Sequence, residues 1–289
     1  MTTPTVIAAL PTPFRPTGDL DPEAARELFR AVNRTVDGLL IGGTTGEFPA
    51  LDDAERLTLT EIALEEAGPD RVIAHVGAPS AFQAARLAAA AVSAGATRLA
   101  AITPYFLAAG PDVVRGYFAR IRDAAGGAAL YAYLYPDLTN TDVSPEQLAA
   151  VPGLAGVKLS GGASGEVAAH VALASEGYEV YSGNDVRLAA VAEQGGTGVV
   201  SGLSVAFPEV FGSLARAVAG GDTAARDALQ KVADEAGAAV GPNIAHLKLA
   251  LRLRGLPGGA SRMAAREVDP AVRSRLVRLV EQVVELGTP

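Results

Sequence analysis

Short apolar runs alternate with helix-like stretches about eight times along the chain. That alternation predicts an α/β fold, a (β/α)8 TIM barrel with a C-terminal helical extension. The length agrees. A chain of 289 residues exceeds the roughly 250 of one such barrel and leaves a tail to account for.

The runs fall at residues 5–10, 38–41, 71–76, 98–102, 128–133, 156–159, 178–181 and 198–200. Each is short and largely apolar, the pattern of parallel strands buried on both faces. Helix starts follow several of them. Asp21-Pro22-Glu23-Ala24 supplies an N-cap acceptor followed by proline at the first helical position. Asp52-Asp53-Ala54-Glu55 resembles a capping box. Gly110-Pro111 and Ser144-Pro145 open two more helices. From Thr223 onward only helix is read, over residues 223–240, 243–254 and 270–286, the last behind Asp269. The expected division is a catalytic barrel over residues 1–221 and a helical layer over residues 222–289. The boundary lies near Gly220-Gly221, without a long linker.

Composition excludes several classes. With no cysteine there is neither a disulfide framework nor thiol chemistry. A net charge of −8 without a basic block argues against nucleic acid as a partner. No apolar stretch approaches the roughly 20 residues of a membrane span. The start, Met1 to Val6, has no basic segment followed by an apolar one, so the expected compartment is the cytoplasm. The histidines, His75, His170 and His246, are scattered and form no ligand pair. Neither a metal nor an organic cofactor is expected, and His75 reads as a satisfied barrel residue.

Chemistry collects at the strands' C-terminal ends, where active sites of this fold lie. Of 24 lysines and arginines, only Lys158, Lys231 and Lys248 are lysines. Lys158 closes the apolar run Leu154-Ala155-Gly156-Val157. A lysine buried there can lose its proton and attack a ketone, which arginine cannot do. The plainer alternative is a lysine reaching out to solvent at a strand end. Strand 2 runs into Gly42-Gly43-Thr44-Thr45-Gly46-Glu47, whose N–H groups and hydroxyls suit a carboxylate or phosphate. The stretch lacks the Gly-Lys-Ser/Thr of a nucleotide-binding loop. Tyr131, Tyr133 and Tyr135 alternate and so share one strand face. A position near the rim favours Tyr133 or Tyr135 as proton shuttle. Strand 6 continues past Lys158 into Ser160. Strand 7 ends in Ser182-Gly183-Asn184-Asp185, and strand 8 in Ser201-Gly202. Asp185 fits either a helix N-cap or a partner for a substrate hydroxyl.

In order, residues 42–47, Tyr133 with Pro136, and Gly156-Val157-Lys158 resemble the class I pyruvate-dependent lyase family. That family includes N-acetylneuraminate lyase, dihydrodipicolinate synthase and 2-keto-3-deoxygluconate aldolase. The likeness covers nearly the whole chain. It takes in Thr103-Pro104-Tyr105-Phe106 and the tail motif Leu247-Lys248-Leu249-Ala250-Leu251 with Arg254-Gly255-Leu256. The resemblance implies a Schiff base between Lys158 and C2 of pyruvate. Thr44 and Thr45 would hold the pyruvate carboxylate, and Tyr133 would relay protons. Gly43, Ser160, Gly183, Asp185, Ser201 and Leu138 complete the candidate substrate-binding set. The partners implied are pyruvate, an aldehyde or keto-deoxy acid, and further copies of the chain in a homotetramer.

Departures from the family narrow the member. Leu138 stands where dihydrodipicolinate synthases carry an arginine for the aldehyde's carboxylate, and Phe106 where they carry an interface tyrosine. Leu138 and Ile73-Ala74-His75-Val76-Gly77 resemble the sialic acid lyases. Tyr133-Leu134-Tyr135-Pro136 is similar to the keto-deoxy-gluconate aldolases. Asn140 replaces a common glycine and tolerates a left-handed turn. The expected activity is reversible cleavage of a 2-keto-3-deoxy sugar acid or related 2-keto acid to pyruvate plus an aldehyde. The alternatives are a dehydratase on the same scaffold, dihydrodipicolinate synthase (disfavoured by Leu138 and Phe106), and a non-catalytic keto-acid sensor.

Overall fold

Eight parallel strands pair in sequence order, and β1 closes on β8. In this computed structural model, residues 2–263 and 268–286 are described. The strands are β1 (Thr5–Ala9), β2 (Gly38–Ile41), β3 (Val72–His75), β4 (Arg98–Ile102), β5 (Ala129–Leu134), β6 (Leu154–Leu159), β7 (Glu179–Ser182) and β8 (Gly198–Ser201). Between and after them run α1 (Pro22–Asn33), α2 (Asp53–Ala67), α3 (Ala81–Ser93), α4 (Pro111–Ala124), α5 (Pro136–Thr139), α6 (Pro145–Ala149), α7 (Val167–Ala172) and α8 (Leu188–Glu193). Then come α9 (Leu203–Ala206), α10 (Pro208–Gly220), α11 (Thr223–Val240), α12 (Ile244–Leu253) and α13 (Pro270–Leu286).

The caps read from sequence are in place. The Asp21 carboxylate accepts from the Ala24 N–H at 3.2 Å. Asp52 and Glu55 form a reciprocal capping box, as do Ser144 and Gln147. Strand edges move by one or two residues. Arg71 belongs to a 3-10 turn before β3. β6 starts earlier than expected because Leu154 pairs with Leu130 across an irregularity in the β5–β6 register. The turn directly after β5 is helical without a sequence signal for it, since α5 spans only four residues.

Side chains alternate between the barrel's interior and its helical shell. Ile7, Leu40, Ile73, Tyr131, Tyr181 and Val200 fill the interior, while Val6, Leu39, Val157 and Val199 face the helices. Gly156 must stay small here. A Cβ on it would lie 2.3 Å from the Glu179 carbonyl oxygen and 2.9 Å from the Tyr131 ring. α10 ends at Gly220, Gly221 caps it with φ 69°, and α11 starts at Thr223. Apolar residues of α11–α13, such as Ala236, Leu251 and Val283, share one buried cluster with the barrel's outer face.

Candidate active site

β5 and β6 pair so that Tyr133 and Lys158 are neighbours, both pointing inward. Val157 and Leu159 on either side face the shell, which leaves Lys158 the interior by simple alternation. Lys158 is 8% exposed and Tyr133 1%. The Lys158 Nζ lies 3.8 Å from the centre of the Tyr133 ring. The Tyr133 hydroxyl meets Thr44 Oγ1 at 2.9 Å, and either can donate. An amine, a phenol and a threonine hydroxyl therefore form one connected set. Tyr131 is set apart by depth. Its hydroxyl accepts from Arg98 Nη2 at 2.8 Å and donates to Glu179, near the strands' N-terminal ends. Tyr135 stays at the rim, half-buried, its hydroxyl held above the usual phenol range by burial and then by Tyr133.

Gly183 makes room for the lysine. A Cβ there would sit 2.1 Å from Ser160 Oγ and 3.2 Å from Lys158 Cε. Asp185 follows at the start of a 3-10 turn. Its Oδ1 is buried without a hydrogen-bond partner. Burial raises this carboxyl above the ordinary range, while a Ser201 hydroxyl and the Lys158 charge pull it partly back.

These groups open on a cavity of about 450 Å³, within the usual range for small-molecule sites. Of the residues expected from sequence, Thr44, Thr45, Tyr133, Lys158, Ser160, Gly183 and Asp185 line it. Three others do not. Gly43 is buried in the turn, its carbonyl accepting from the Phe48 N–H at 3.3 Å. Ser201 is fully buried, its Oγ accepting from the Ser204 N–H at 2.9 Å. Leu138 is 53% exposed and outside the lining. The helical turn of α5 buries Thr139, which takes a hydrogen bond from Thr103 Oγ1 at 3.2 Å, and turns Leu138 outward. Tyr135, the alternative proton shuttle from sequence, also lines the cavity; sequence reasoning missed Asn184 and the α11–α12 connection from Val240 to Leu247. Asn184 lay in plain view between Gly183 and Asp185. The connection carried no local signal.

Three buried charged residues support the site from behind. Glu47, fully buried, accepts from Lys248 Nζ at 2.6 Å and from the Arg262 and Met263 N–H groups at 2.9 and 2.7 Å. Lys248 also donates to the Thr12 and Ala260 carbonyls. Arg56 donates to the carbonyls of His75 and Gly77 at 2.6 and 3.1 Å. Burial brings this guanidinium down to about 10. His75, satisfied as expected, accepts through Nε2 from the Ile102 N–H at 3.2 Å. Burial, with Arg56 and Lys158 close by, holds it well below the usual imidazole range. Among the described residues, no group of three or more His, Cys, Asp or Glu side chains gathers as metal ligands.

The family model described as "Dihydrodipicolinate synthetase family" matches residues 3–283. The chain belongs to this family. Family membership makes it a carbon–carbon lyase of the pyruvate-dependent class I type. It is 33% identical to 4-hydroxy-tetrahydrodipicolinate synthase 1 of Streptomyces coelicolor over 273 residues, covering 91% of this chain and 88% of that protein. It is 32% identical to the 4-hydroxy-tetrahydrodipicolinate synthase of an Exiguobacterium species, over 97% of this chain and 98% of that one. The barrel superposes on a catalytic-lysine mutant of the Ruminococcus gnavus sialic acid aldolase with a TM-score of 0.91, at 21% identity and 99% and 98% coverage. A variant of the Sulfolobus solfataricus 2-keto-3-deoxygluconate aldolase gives 0.89 at 24% identity, with 98% of each chain covered. At those identities the two solved structures speak for the shared fold alone.

Proposed function

We propose that this family member is a Schiff-base aldolase that joins pyruvate to an aldehyde, or splits the product, at the cavity around Lys158. The observation that carries the reading is the contact of Lys158 Nζ with the Tyr133 ring, together with the Tyr133–Thr44 hydroxyl pair. In the cleavage direction Lys158 Nζ adds to C2 of the 2-keto acid, and water leaves to give an iminium. The C3–C4 bond then breaks, and its electron pair flows into the iminium to form an enamine. The Tyr133–Thr44 pair carries the proton that leaves the C4 oxygen and returns one to C3. Water hydrolyses the iminium and frees pyruvate. Thr44 and Thr45 hold the carboxylate in the turn after β2.

For the second substrate we propose a 2-keto-3-deoxy sugar acid or a relative, whose aldehyde half bears no charge. Among the described residues, Lys158 is the sole cation in the cavity lining, and Leu138 brings none. The relatives' names favour another reading, 4-hydroxy-tetrahydrodipicolinate synthase. A carboxylated aldehyde would leave an unpaired charge in this lining, which is costly. Loss of water instead of an aldehyde starts from the same iminium, and product analysis separates the two outcomes. The assembly proposed is a homotetramer.

The test is borohydride reduction with pyruvate, followed by peptide mapping. The expected adduct is on Lys158. An adduct on Lys231 or Lys248, or none, removes the mechanism. A coupled assay with aspartate semialdehyde then decides the second reading. Efficient condensation by the unmodified protein would establish the synthase.

A further inference from the structure

The acceptor half of the cavity has two unlike walls. On the strand side the polar groups are Tyr135, Asn184 and Asp185. Ser160 also lines the cavity, and two further polar side chains are wholly or partly engaged. Ser164 donates its hydroxyl proton to the Gly161 carbonyl at 2.7 Å, and the Asn243 Oδ1 caps α12 through the Ala245 N–H at 2.9 Å. Apart from Asn243, the side chains brought by the C-terminal layer are apolar: Val240, Pro242, Ile244 and Leu247, joined by Val186 after β7. These side chains reach deep. A Cβ on Gly202 would stand 3.6 Å from Thr45 Oγ1 and 3.8 Å from Leu247 Cδ2, so the leucine and the Thr44–Thr45 turn both approach Gly202. A Cβ on Gly237 would lie 2.9 Å from Val186 Cγ1, which ties α11 to the same wall. The lining's charged groups are Lys158, which the Schiff base consumes, and Asp185.

We infer that the aldehyde taken by this site is uncharged and carries an aliphatic or aromatic tail, with its carbonyl and at most a neighbouring hydroxyl on the Asn184–Asp185 side. The inference rests on the Schiff-base mechanism above and keeps its uncharged aldehyde half, but moves the substrate from the sugar acids themselves to a relative with an apolar chain. A polyhydroxylated chain would lose hydrogen bonds to water along the Val240–Leu247 wall without regaining them. A second carboxylate would face Asp185 with no free cation among the described lining residues. In condensation, enamine C3 forms a bond to the aldehyde carbon. The carbonyl oxygen takes the proton delivered through Tyr133, and water releases the 4-hydroxy-2-keto acid from Lys158.

The experiment measures kcat/KM at saturating pyruvate for three sets of acceptors: straight-chain aldehydes of two to six carbons with benzaldehyde, glyceraldehyde with erythrose, and aspartate semialdehyde. A rise of up to about 4-fold per methylene is expected along the first set, the worth of burying that group. Glyceraldehyde and the semialdehyde should fall at least tenfold below the best member. Ile244→Thr should flatten the rise, and Val186→Arg should move preference toward the carboxylated acceptor. Borohydride trapping with pyruvate alone separates the two levels. Trapping on Lys158 with preference for the polyol or the semialdehyde overturns this inference and leaves the Schiff-base reading standing. Absence of trapping overturns both.

Discussion

Lys158 was legible at the level of a single residue, because a strand's two-residue period assigns it a side as soon as Val157 and Leu159 are placed in the shell. Lys158→Arg should fold, keep its thermal midpoint within a few degrees, and give no borohydride adduct. The tyrosines show where period fails. Tyr131, Tyr133 and Tyr135 share a face, and what separates them is depth along the barrel, set by partners on other strands: Glu179 below, Thr44 above. Tyr133→Phe should lower turnover by roughly 10²–10⁴-fold, the usual worth of a positioned proton carrier, while pyruvate trapping persists. Tyr135→Phe should cost far less, and the reverse ranking would move the relay to the rim. Asp185 adds a pH dependence with a definite sign. Its folded carboxyl is raised, so ionisation is harder in the fold than in the unfolded chain. Stability is therefore lost as pH climbs from the ordinary aspartate range, near pH 4, through the folded value. Asp185→Asn should remove that loss, seen as a thermal midpoint that declines less steeply with rising pH than the wild type's. An identical slope would mean the carboxyl finds its hydrogen in another way.

Strands and caps were readable as elements because their signals are local: apolar runs, Asp21, and the Asp52–Glu55 box. α5 and the cavity-lining α11–α12 connection were not. A four-residue helix has too few positions for a period, and a connection's part in a cavity depends on what packs across from it. Leu138 is the case in point. Motif alignment put it at the substrate, but one turn of helix buries Thr139 against Thr103 and leaves Leu138 in solvent, outside the cavity lining. Gly156 gives a test at this scale. Gly156→Ala drives a methyl into the Glu179 carbonyl and the Tyr131 ring. Overpacking of this kind destabilises by about 1–3 kcal/mol, read as a lower urea midpoint. An unchanged midpoint would mean that β6 and β7 separate more easily than their register implies.

Across the molecule, Phe106 and Leu107 stand out at 84% and 74% exposed, with Phe106 at φ 79°. A large apolar pair on a rim, one member in a backbone conformation that side chains rarely adopt, is better explained if another copy covers it. Sedimentation at micromolar protein should find an oligomer, and Phe106→Glu with Leu107→Asp should shift it to smaller species. A monomer before any substitution would count against the homotetramer.

The Glu47–Lys248 pair carries a consequence in time. The two partners stand 201 residues apart in a chain made from one end to the other. All eight strands have been synthesised once Ser201 is added, yet the carboxylate behind the Thr44–Thr45 turn still lacks its cation. Removing one partner of a buried pair typically costs about 3–5 kcal/mol, and the nascent barrel is in that condition until Lys248 emerges. The turn proposed to receive pyruvate is thus among the last parts of the enzyme to be finished, although its residues are among the first to be made. A chain stopped at residue 240 should accordingly yield no adduct with pyruvate, even with Lys158 and Tyr133 present.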